Sequence, residues 1–424
     1  MSSDAAPESV VVVGGGLIGL CCAYFLRQQG LDVTVVESNS VGSGSSRGNA
    51  GEIIPEIAAP LSTPGIVRDS LKSFLDPNSA LFVQPHFSFE LFRYLRRFVL
   101  STRPTVFEKS AAQLRDFAQD SFDLFKQIES EGSGLNANTE GFLFVFDTAA
   151  AAEKSLRMQT STTGVEAEVI TGNRIRRMEP NLSAKIAAGY VLKNQWTIDP
   201  GRFIDELTKT LRAASVSIIE STRATSIGMN DQSAWVRTTD GTFDADNIVV
   251  AAGVWSRDLC RTLGVDLDLV PGKGYSFNVD LPHPFVRTIQ FADVHVVATP
   301  MGDNVRIAGT MELDRRREHF SPGRIRSIIA AVDPYLAEVD WQSIRNEWVG
   351  PRPMTGDGMP IIGRIGPDTS RVMVATGHNM HGLTLGPVTG RLVAHLVTES
   401  SALSDANPFD PAINGRSKRW SHRL

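Results

Sequence analysis

Three glycines close to the start of the chain have the types and spacing expected of a phosphate-binding turn. Gly14, Gly16 and Gly19 follow residues 10–13, a run of valines that predicts a buried parallel strand. Gly14 permits a tight turn and Gly16 lets the backbone approach a pyrophosphate, while Gly19 lets the next helix pack close to the sheet. The positive N-terminal end of that helix would then face the anionic phosphates.

An acidic residue stands at the distance that a nucleotide ribose requires. Glu37 follows a second predicted strand at residues 33–36, about twenty residues after the glycines, and can accept hydrogen bonds from ribose hydroxyl groups. A carboxylate at this position disfavours a 2′-phosphate. Because strand, glycine turn, helix and acid occur in this order, residues 10–37 predict a βαβ unit that binds a dinucleotide.

The composition limits the class of protein. The chain has 424 residues, 42% of them hydrophobic, and a net charge of −5, which gives ample core for two domains and no electrostatic case for nucleic acid. The apolar stretch at residues 10–26 contains four glycines and follows Asp4 and Glu8, so it predicts neither a signal peptide nor a membrane span. The three cysteines fit no disulfide or zinc spacing, which favours a reducing, cytoplasmic setting and no metal site.

A loop rich in glycine, serine and asparagine follows Glu37, over residues 38–53. It leaves the carboxyl end of the second strand, where ligands bind in doubly wound sheets. Small residues let its backbone lie against a flat ring, and Ser45, Ser46 and Asn49 can donate hydrogen bonds. We therefore predict a cofactor loop rather than a flexible surface loop.

Helical and strand-like patterns alternate along the rest of the chain. Residues 89–128 have an amphipathic helical pattern, and helices are also predicted after Asp199, a candidate N-cap, and from about Leu383. Strands are predicted at residues 141–148, 216–220, 245–250, 272–279, 295–299, 305–308 and 372–376.

The middle of the chain predicts a second architecture. The strands between residues 272 and 308 predict an antiparallel sheet, with Arg306 on a solvated edge. The sequence then becomes rich in glycine and proline at residues 348–363, which predicts turns. Nucleotide-type features at both ends, with sheet-like sequence between them, predict domains that are discontinuous in sequence.

Several motifs occur in the order typical of one group of flavoproteins. After the opening glycines the chain reads GSGSSRGNAGEI, AAGVWS, PGKGYS, GTMEL, GPRPMTGDGMPIIG and TGHNMHGLTLGP. With these motifs it resembles the D-amino acid oxidase-type FAD-dependent oxidoreductases over nearly its whole length, and it is most similar to bacterial D-amino acid dehydrogenases of the small-subunit type. The resemblance implies an α/β fold with a Rossmann-like FAD-binding domain (residues 1–60, 197–268 and 350–424). It also implies an α+β substrate-binding domain with a mixed or antiparallel sheet and helices (residues 61–196 and 269–349).

The resemblance also implies roles for individual residues. Arg352 matches the arginine that binds the substrate carboxylate, and Tyr275, with Lys273 beside it, is a weaker candidate for lining the same pocket. His378 and His381 would either help to deprotonate a substrate ammonium or satisfy loop backbone. The implied FAD contacts come from Gly14, Gly16, Leu17, Ile18, Gly19, Glu37, Ser38, Ser45, Ser46, Asn49, Ala50, Gly51, Ala224, Ala251, Gly253, Trp255, Gly377, His378, Gly382, Leu383 and Thr384.

Two departures from the wider group refine these implications. Some sarcosine-oxidising relatives attach FAD through a histidine in the serine-rich loop or through a later cysteine. Here the loop position is Arg47 and no cysteine follows Cys260, which implies non-covalent FAD. The loop HNMHGLTLGP is more similar to relatives that act on secondary or cyclic amines.

The implied function is dehydrogenation of a small amino or imino acid, D-configured and of the D-proline or hydroxyproline type, by hydride transfer from Cα to flavin N5. Two alternatives stay open: an oxidase of sarcosine or another N-substituted amino acid, and a redox-silent protein that binds FAD for structure. The resemblance favours a quinone or respiratory carrier over oxygen as electron acceptor. We expect a cytoplasmic protein with at most peripheral contact with the inner membrane.

Overall fold

The computed structural model describes residues 8–67, 79–84, 88–132, 134–314, 316–366, 370–398 and 407–419. In these ranges the chain forms two large sheets, three small ones and the helices that cover them. The strands are β1 Ser9–Val13, β2 Asp32–Val36, β3 Glu52–Ile53, β4 Leu81–Val83, β5 Phe142–Phe146, β6 Ile170–Thr171, β7 Ala188–Leu192, β8 Trp196–Thr197, β9 Ser217–Ile219, β10 Ala224–Met229, β11 Ala234–Thr238, β12 Thr242–Ala245, β13 Asn247–Val250, β14 Val265–Leu267, β15 Val270–Val279, β16 Thr288–Phe291, β17 Val296–Met301, β18 Asn304–Leu313, β19 Arg345–Met354, β20 Ile361–Arg364, β21 Val372–Thr376 and β22 Ser417–Arg419. The α-helices are α1 Leu17–Gln28, α2 Phe89–Ser101, α3 Pro104–Ala118, α4 Ser121–Ser130, α5 Ala149–Thr163, α6 Gly172–Met178, α7 Pro200–Ala213, α8 Ser256–Arg261, α9 Pro322–Val332 and α10 Gly382–Thr398.

The first large sheet has six strands in the order β20-β21-β13-β1-β2-β9. All neighbours pair in parallel except β20, which is antiparallel to β21. The valines of β1 are buried because β13 and β2 flank them and helices cover the sheet. Helices α1 and α10 pack closely, since a Cβ at Gly390 would lie 2.4 Å from the carbonyl oxygen of Cys21. The predicted α/β architecture is confirmed.

The second large sheet is mixed. Its main path runs β19-β15-β18-β17-β16-β5-β7-β6, and β4 adds to β18. The predicted antiparallel strands are present, but β16 pairs with β5, and β18 with β4, in parallel. Helix α9 covers one face of this sheet and buries Phe277 and Ile307 against Ile328.

One segment differs from its predicted structure. Residues 348–354 of the glycine- and proline-rich sequence predicted to form turns belong to β19, a strand of 10 residues. Pro351 and Pro353 are tolerated because β19 is at the edge of its sheet, where a missing N–H costs no ladder hydrogen bond. Gly350 leaves the space that the indole ring of Trp348 occupies.

The long amphipathic helix predicted at residues 89–128 is three helices, α2, α3 and α4. Pro104 begins α3 and disfavours a helical conformation for the residue before it, which separates α3 from α2. In the described part of the chain, no helix combines the length and apolar character needed to cross a membrane.

Candidate active site

A cavity of about 1360 Å³ is lined by residues from both large sheets. The first sheet contributes Val13, Val36 and Ala375 at the carboxyl ends of β1, β2 and β21, while Ala308 and Arg352 come from the second. Pockets for a single drug-sized molecule occupy roughly 300–1,000 Å³. This cavity is larger, and it has room for a dinucleotide together with a small second molecule.

The glycine turn and the cofactor loop meet at one end of the cavity. Gly14 has a φ of 112°, and a Cβ at this position would lie 2.6 Å from the carbonyl oxygen of Ala251. The N-terminus of α1 has no side-chain cap of its own, but Ser46 Oγ accepts a hydrogen bond of 3.0 Å from the N–H of Leu17. The helix end therefore faces the cavity with donors available to an anion.

Glu37 lines the cavity beside the same turn. Its Oε2 accepts a hydrogen bond of 2.8 Å from the N–H of Gly15, and its Oε1 accepts bonds from Asn39 N and Ser38 Oγ. Since each carboxylate oxygen has two lone pairs, these three bonds leave Oε2 able to accept one more, from a ribose hydroxyl group.

Most of the predicted site residues line this cavity. They are Gly14, Gly16, Leu17, Ile18, Glu37, Ser38, Ser45, Ser46, Asn49, Ala50, Ala224, Ala251, Gly253, Trp255, Arg352, His378, Gly382 and Leu383. The other predicted residues are absent from the described lining: Gly19, Gly51, Tyr275, Gly377, His381 and Thr384.

Arg352 presents its guanidinium group to the cavity from β19. Its side chain lies across Gly274 on β15, where a Cβ would approach Nη1 to 2.0 Å. In the described chain Nη1 is buried without a hydrogen-bond partner. Burial lowers the pKa of Arg352 to about 10, although the charge of Glu52 opposes the shift, so the group remains a cation at neutral pH.

Comparison with known proteins identifies the family. The family model described as DAO, FAD dependent oxidoreductase, matches residues 9–396. The chain belongs to this family. A D-amino acid dehydrogenase of Helicobacter pylori (strain ATCC 700392 / 26695) is 26% identical over 404 residues, covering 94% of this chain and 97% of the relative. One of Rhizorhabdus wittichii is 28% identical over 401 residues, covering 92% and 95%. The crystal structure of glycine oxidase from Geobacillus kaustophilus has a TM-score of 0.72 at 22% identity, covering 95% of this chain and 98% of the other.

The residues around the cavity of this FAD-dependent oxidoreductase fit the cofactor. Gly14 and Gly16 form a cradle beside the N-terminus of α1, and a Cβ at Gly16 would lie 3.4 Å from Ser46 Oγ and narrow it. Glu37 would accept hydrogen bonds from the ribose, and Ala224 on β10 lines the same cavity. Gly382 and Leu383, which begin α10, line the cavity together with Arg352. These residues would hold the pyrophosphate beside α1 and the flavin at the end near α10.

The sequence did not indicate Glu52 and Gln290, which also line the cavity. Gln290 Nε2 donates a hydrogen bond to Glu52 Oε1. Burial raises the pKa of Glu52 to about 7, although the bond from Gln290 and the charge of Arg352 act in the opposite direction. The available signal was an acidic residue, one of two, in the mostly apolar segment that follows Gly51.

Tyr275 and Lys273 lie away from the cavity of the FAD-dependent oxidoreductase. Alternate residues of a strand face opposite sides of a sheet, and Gly274 faces Arg352. Tyr275 Oη donates a hydrogen bond of 2.7 Å to Glu312 Oε2, and Lys273 forms buried ion pairs with Glu312 and Asp314. Burial, with Glu312 nearby, raises the pKa of Tyr275. Both side chains belong to the interior of the second sheet, so the structure does not support placing them in the substrate pocket.

Both loop histidines are buried and neutral. His378 lines the cavity, its Nε2 lies 3.0 Å from Thr389 Oγ1, and burial together with His381 lowers its pKa to about 3. Nε2 of His381 donates a hydrogen bond of 2.7 Å to the carbonyl of Ala59, and burial lowers its pKa as well. The geometry favours a structural role for His381.

The cofactor loop is held by two arginines. Arg47 pairs with Asp205 at 2.5 Å and donates to the carbonyl of Val41. Arg306 Nη1 donates hydrogen bonds of 3.0 Å to the carbonyls of Arg47 and Asn49, and the group is half-buried. The prediction that Arg306 lies on a solvated edge is therefore wrong, because its guanidinium fixes the loop that lines the cavity.

Proposed function

We propose that this FAD-dependent oxidoreductase dehydrogenates a small amino or imino acid whose carboxylate binds to Arg352. The observation that supports this role is a guanidinium at the flavin end of the cavity whose buried Nη1 has no protein partner in the described chain. A planar guanidinium can hold a carboxylate through two parallel hydrogen bonds. Such a clamp fixes the orientation of Cα, which is the main requirement for hydride transfer.

FAD, when bound, supplies a two-electron acceptor, flavin N5, for the hydride that leaves Cα. The protein contributes alignment and charge. Arg352 orients the substrate, and the N-terminus of α10 places its positive end near Gly382 and Leu383, where negative charge is stabilised. The neutral rings of His378 and His381 are poor proton acceptors because burial lowers their pKa values.

We propose a D-configured substrate and, among these, secondary or cyclic amines of the D-proline and hydroxyproline type. The curated relatives named D-amino acid dehydrogenase support the configuration. The HNMHGLTLGP loop supports the cyclic class, and it borders the cavity through His378, Met380 and Leu383. The alternative is an oxidase of sarcosine or another N-substituted amino acid. Such an enzyme would have a different side-chain pocket and would use oxygen as its electron acceptor.

The test is anaerobic flavin reduction with a panel of D-, L-, N-methyl and cyclic amino acids. We expect Arg352→Ala to retain FAD and to lose roughly 10²–10⁴-fold in kcat/KM, because alignment of the substrate is lost. Arg352→Lys should recover only part of this loss, since an ammonium cannot bind a carboxylate in a bidentate way. Arg345→Ala, an exposed arginine on the same strand that pairs with Asp280, is the matched control.

Near-normal reduction in Arg352→Ala would remove this residue from the site. If no compound reduces the flavin of the wild-type protein, the enzymatic proposal fails and the redox-silent alternative gains support. Stoichiometric hydrogen peroxide would identify an oxidase, whereas turnover with a quinone but not with oxygen would identify a dehydrogenase.

We further propose that the electron acceptor is a quinone and that α2 contacts the membrane that carries it. Phe89, Phe92 and Val99 lie on one side of this helix and are 71%, 65% and 48% exposed. Arg96, on the same side, is exposed and can attract anionic lipid headgroups.

A further inference from the structure

Glu52 and Arg352 place opposite charges on the wall of one cavity. In the described chain neither side chain forms a direct ion pair, and each supplies the opposite charge that acts on the other across the cavity wall. The side-chain hydrogen bond of Glu52 is the one that Oε1 accepts from Gln290, and Oε2 has no donor among the described residues. Among the described residues, the cavity wall thus has one carboxylate oxygen, Glu52 Oε2, and one guanidinium nitrogen, Arg352 Nη1, without a hydrogen-bond partner.

The backbone around Glu52 is fixed from two directions. Strand β3 pairs with β8, with Glu52 opposite Thr197. Thr384 Oγ1, in the first turn of α10, donates to the carbonyl of Glu52 at 3.3 Å and accepts a bond of 3.0 Å from the N–H of Ile54. The helix that begins at the flavin end therefore also positions this carboxylate.

We propose that Glu52 is the amine-binding residue of the site and takes a proton from the substrate ammonium before Cα is oxidised. This inference rests on the proposed function, because it assumes a ligand with both a carboxylate and an amine. It makes the substrate class amino and imino acids rather than hydroxy acids of the same carbon skeleton. A hydroxy acid offers no positive charge to Glu52, and the buried carboxylate would be left unpaired.

The proposed proton transfer balances. One N–H bond of the ammonium breaks, its electron pair stays on nitrogen, and the proton forms an O–H bond on Glu52. The Cα–H bond then breaks with its electron pair going to FAD, the family's oxidant, and the nitrogen lone pair forms the C=N bond. The substrate loses two electrons and FAD gains them.

The surroundings of Glu52 suit a group that exchanges a proton near neutral pH. Arg352 on β19 is the charged group whose field reaches it, while Gln290 on β16, Thr197 on β8 and Thr384 on α10 are neutral. Burial raises the pKa of Glu52 to about 7. The group is therefore a carboxylate at pH 8.5 and largely protonated at pH 6.

The first experiment measures binding of propionate, which has a carboxylate but no amine, by the perturbation of flavin absorbance. For the wild-type holoenzyme we expect Kd to rise roughly tenfold between pH 6 and pH 8.5, because ionised Glu52 repels a second anion. In Glu52→Gln the Kd should be low and independent of pH over this range. Glu56→Gln, a nearby acid whose side chain bonds to Asn194 and Gln195 outside the cavity lining, should behave as the wild type.

The second experiment measures kcat/KM with the best amino or imino acid of the panel and with its 2-hydroxy analogue. Glu52→Gln should retain FAD and lose roughly 10²–10⁴-fold with the amine, while losing little with the hydroxy acid. Glu52→Asp should recover part of the activity with the amine, which separates loss of a proton acceptor from misfolding.

This inference is overturned if Glu52→Gln oxidises the amine as the wild type does, or if propionate binding to Glu52→Gln still depends on pH. Neither result would affect the role proposed for Arg352. If no amino or imino acid reduces the wild-type flavin, the proposed function fails first and this inference fails with it.

Discussion

Arg352 can extend along the cavity wall because the neighbouring strand has glycine at position 274. A Cβ there would lie 2.0 Å from Nη1 and 2.2 Å from Cζ of the arginine. Gly274 has no positive φ, so the requirement is for space and not for an unusual backbone conformation. The position of the guanidinium is thus set by a residue that contributes no side chain.

Gly274→Ala tests this directly. The guanidinium must move by more than a bond length to accept the methyl group, and misplacement of about 1 Å can cost 10²-fold in rate. We expect kcat/KM to fall roughly 10- to 100-fold, mainly through KM, with FAD still bound. Gly134→Ala, at a site with no heavy atom within 4 Å, is the control. A KM unchanged by Gly274→Ala would contradict the packing argument.

For individual residues, the sequence predicted which residue types form the site better than it predicted the directions of their side chains. Arg352 was found from its motif, and it lines the cavity. Tyr275 was not excluded, because the sequence does not show which side of β15 faces the cavity. Glu52 was missed because β3 has two residues, too few for a periodic pattern to emerge.

Helix α2 presents apolar and basic side chains to solvent on the same side. Phe98 and Tyr94 on its other side are buried, which anchors the helix and leaves Phe89 and Phe92 outside. An exposed apolar face with an arginine is typical of a helix that lies in a lipid headgroup layer.

Phe89→Ser/Phe92→Ser should reduce binding to vesicles of phosphatidylglycerol and phosphatidylcholine at least several-fold. The expected cause is loss of apolar burial in the membrane, and flavin reduction by substrate in solution should not change. Co-sedimentation with vesicles measures the effect, and Val286→Ser, another exposed apolar site, is the control. Absence of vesicle binding by the wild-type protein would exclude a role for this surface in membrane contact.

Elements with regular periodicity were predicted well and those held by tertiary context were not. The βαβ opening, β5, β15 and α10 follow from apolar runs and helical spacing. Strand β19 does not, because its prolines and glycine suggest turns unless its edge position and the ring of Trp348 are known.

An ion-pair network joins distant parts of the whole molecule. Arg93 of α2 pairs with Asp266 and Asp268, and Arg97 pairs with Asp268 and Asp357. Arg257 and Arg261 also bind Asp266, and Arg416 in the C-terminal segment is buried against Asp357. These contacts connect α2 with segments near β14 and β20. The predicted domain boundaries, which separate these segments, stay a prediction.

The network predicts a loss of stability in acid. Burial alone would raise the pKa of Asp266, but hydrogen bonds and charges from Arg257, Arg261 and Arg93 outweigh it and lower the pKa. A lowered pKa stabilises the folded state above the unfolded value of about 4, and this contribution is lost as the pH falls through the folded value.

Asp266→Asn should lower the free energy of unfolding by about 3 kcal/mol at pH 7, because the buried Arg257 loses the carboxylate that accepts two of its hydrogen bonds. The difference from wild type should shrink below about pH 4. Thermal unfolding at pH 7 and at about pH 2.5 measures both effects, and Asp280→Asn, in an exposed pair with Arg345, should leave Tm unchanged. A difference that is equal at the two pH values would contradict the assignment.

The order of strands in the first sheet has a consequence for biosynthesis. Strand β1 ends at residue 13, yet its neighbour β13 begins at residue 247, and the helix α10 that covers α1 begins at residue 382. On the ribosome the apolar first segment can pair early with β2, but it must wait for most of the chain to be made before β13 and α10 emerge. A nascent chain of this kind exposes aggregation-prone surface for much of its synthesis. We expect translation speed and chaperone supply to limit the yield of active flavoprotein, even where the finished fold is stable.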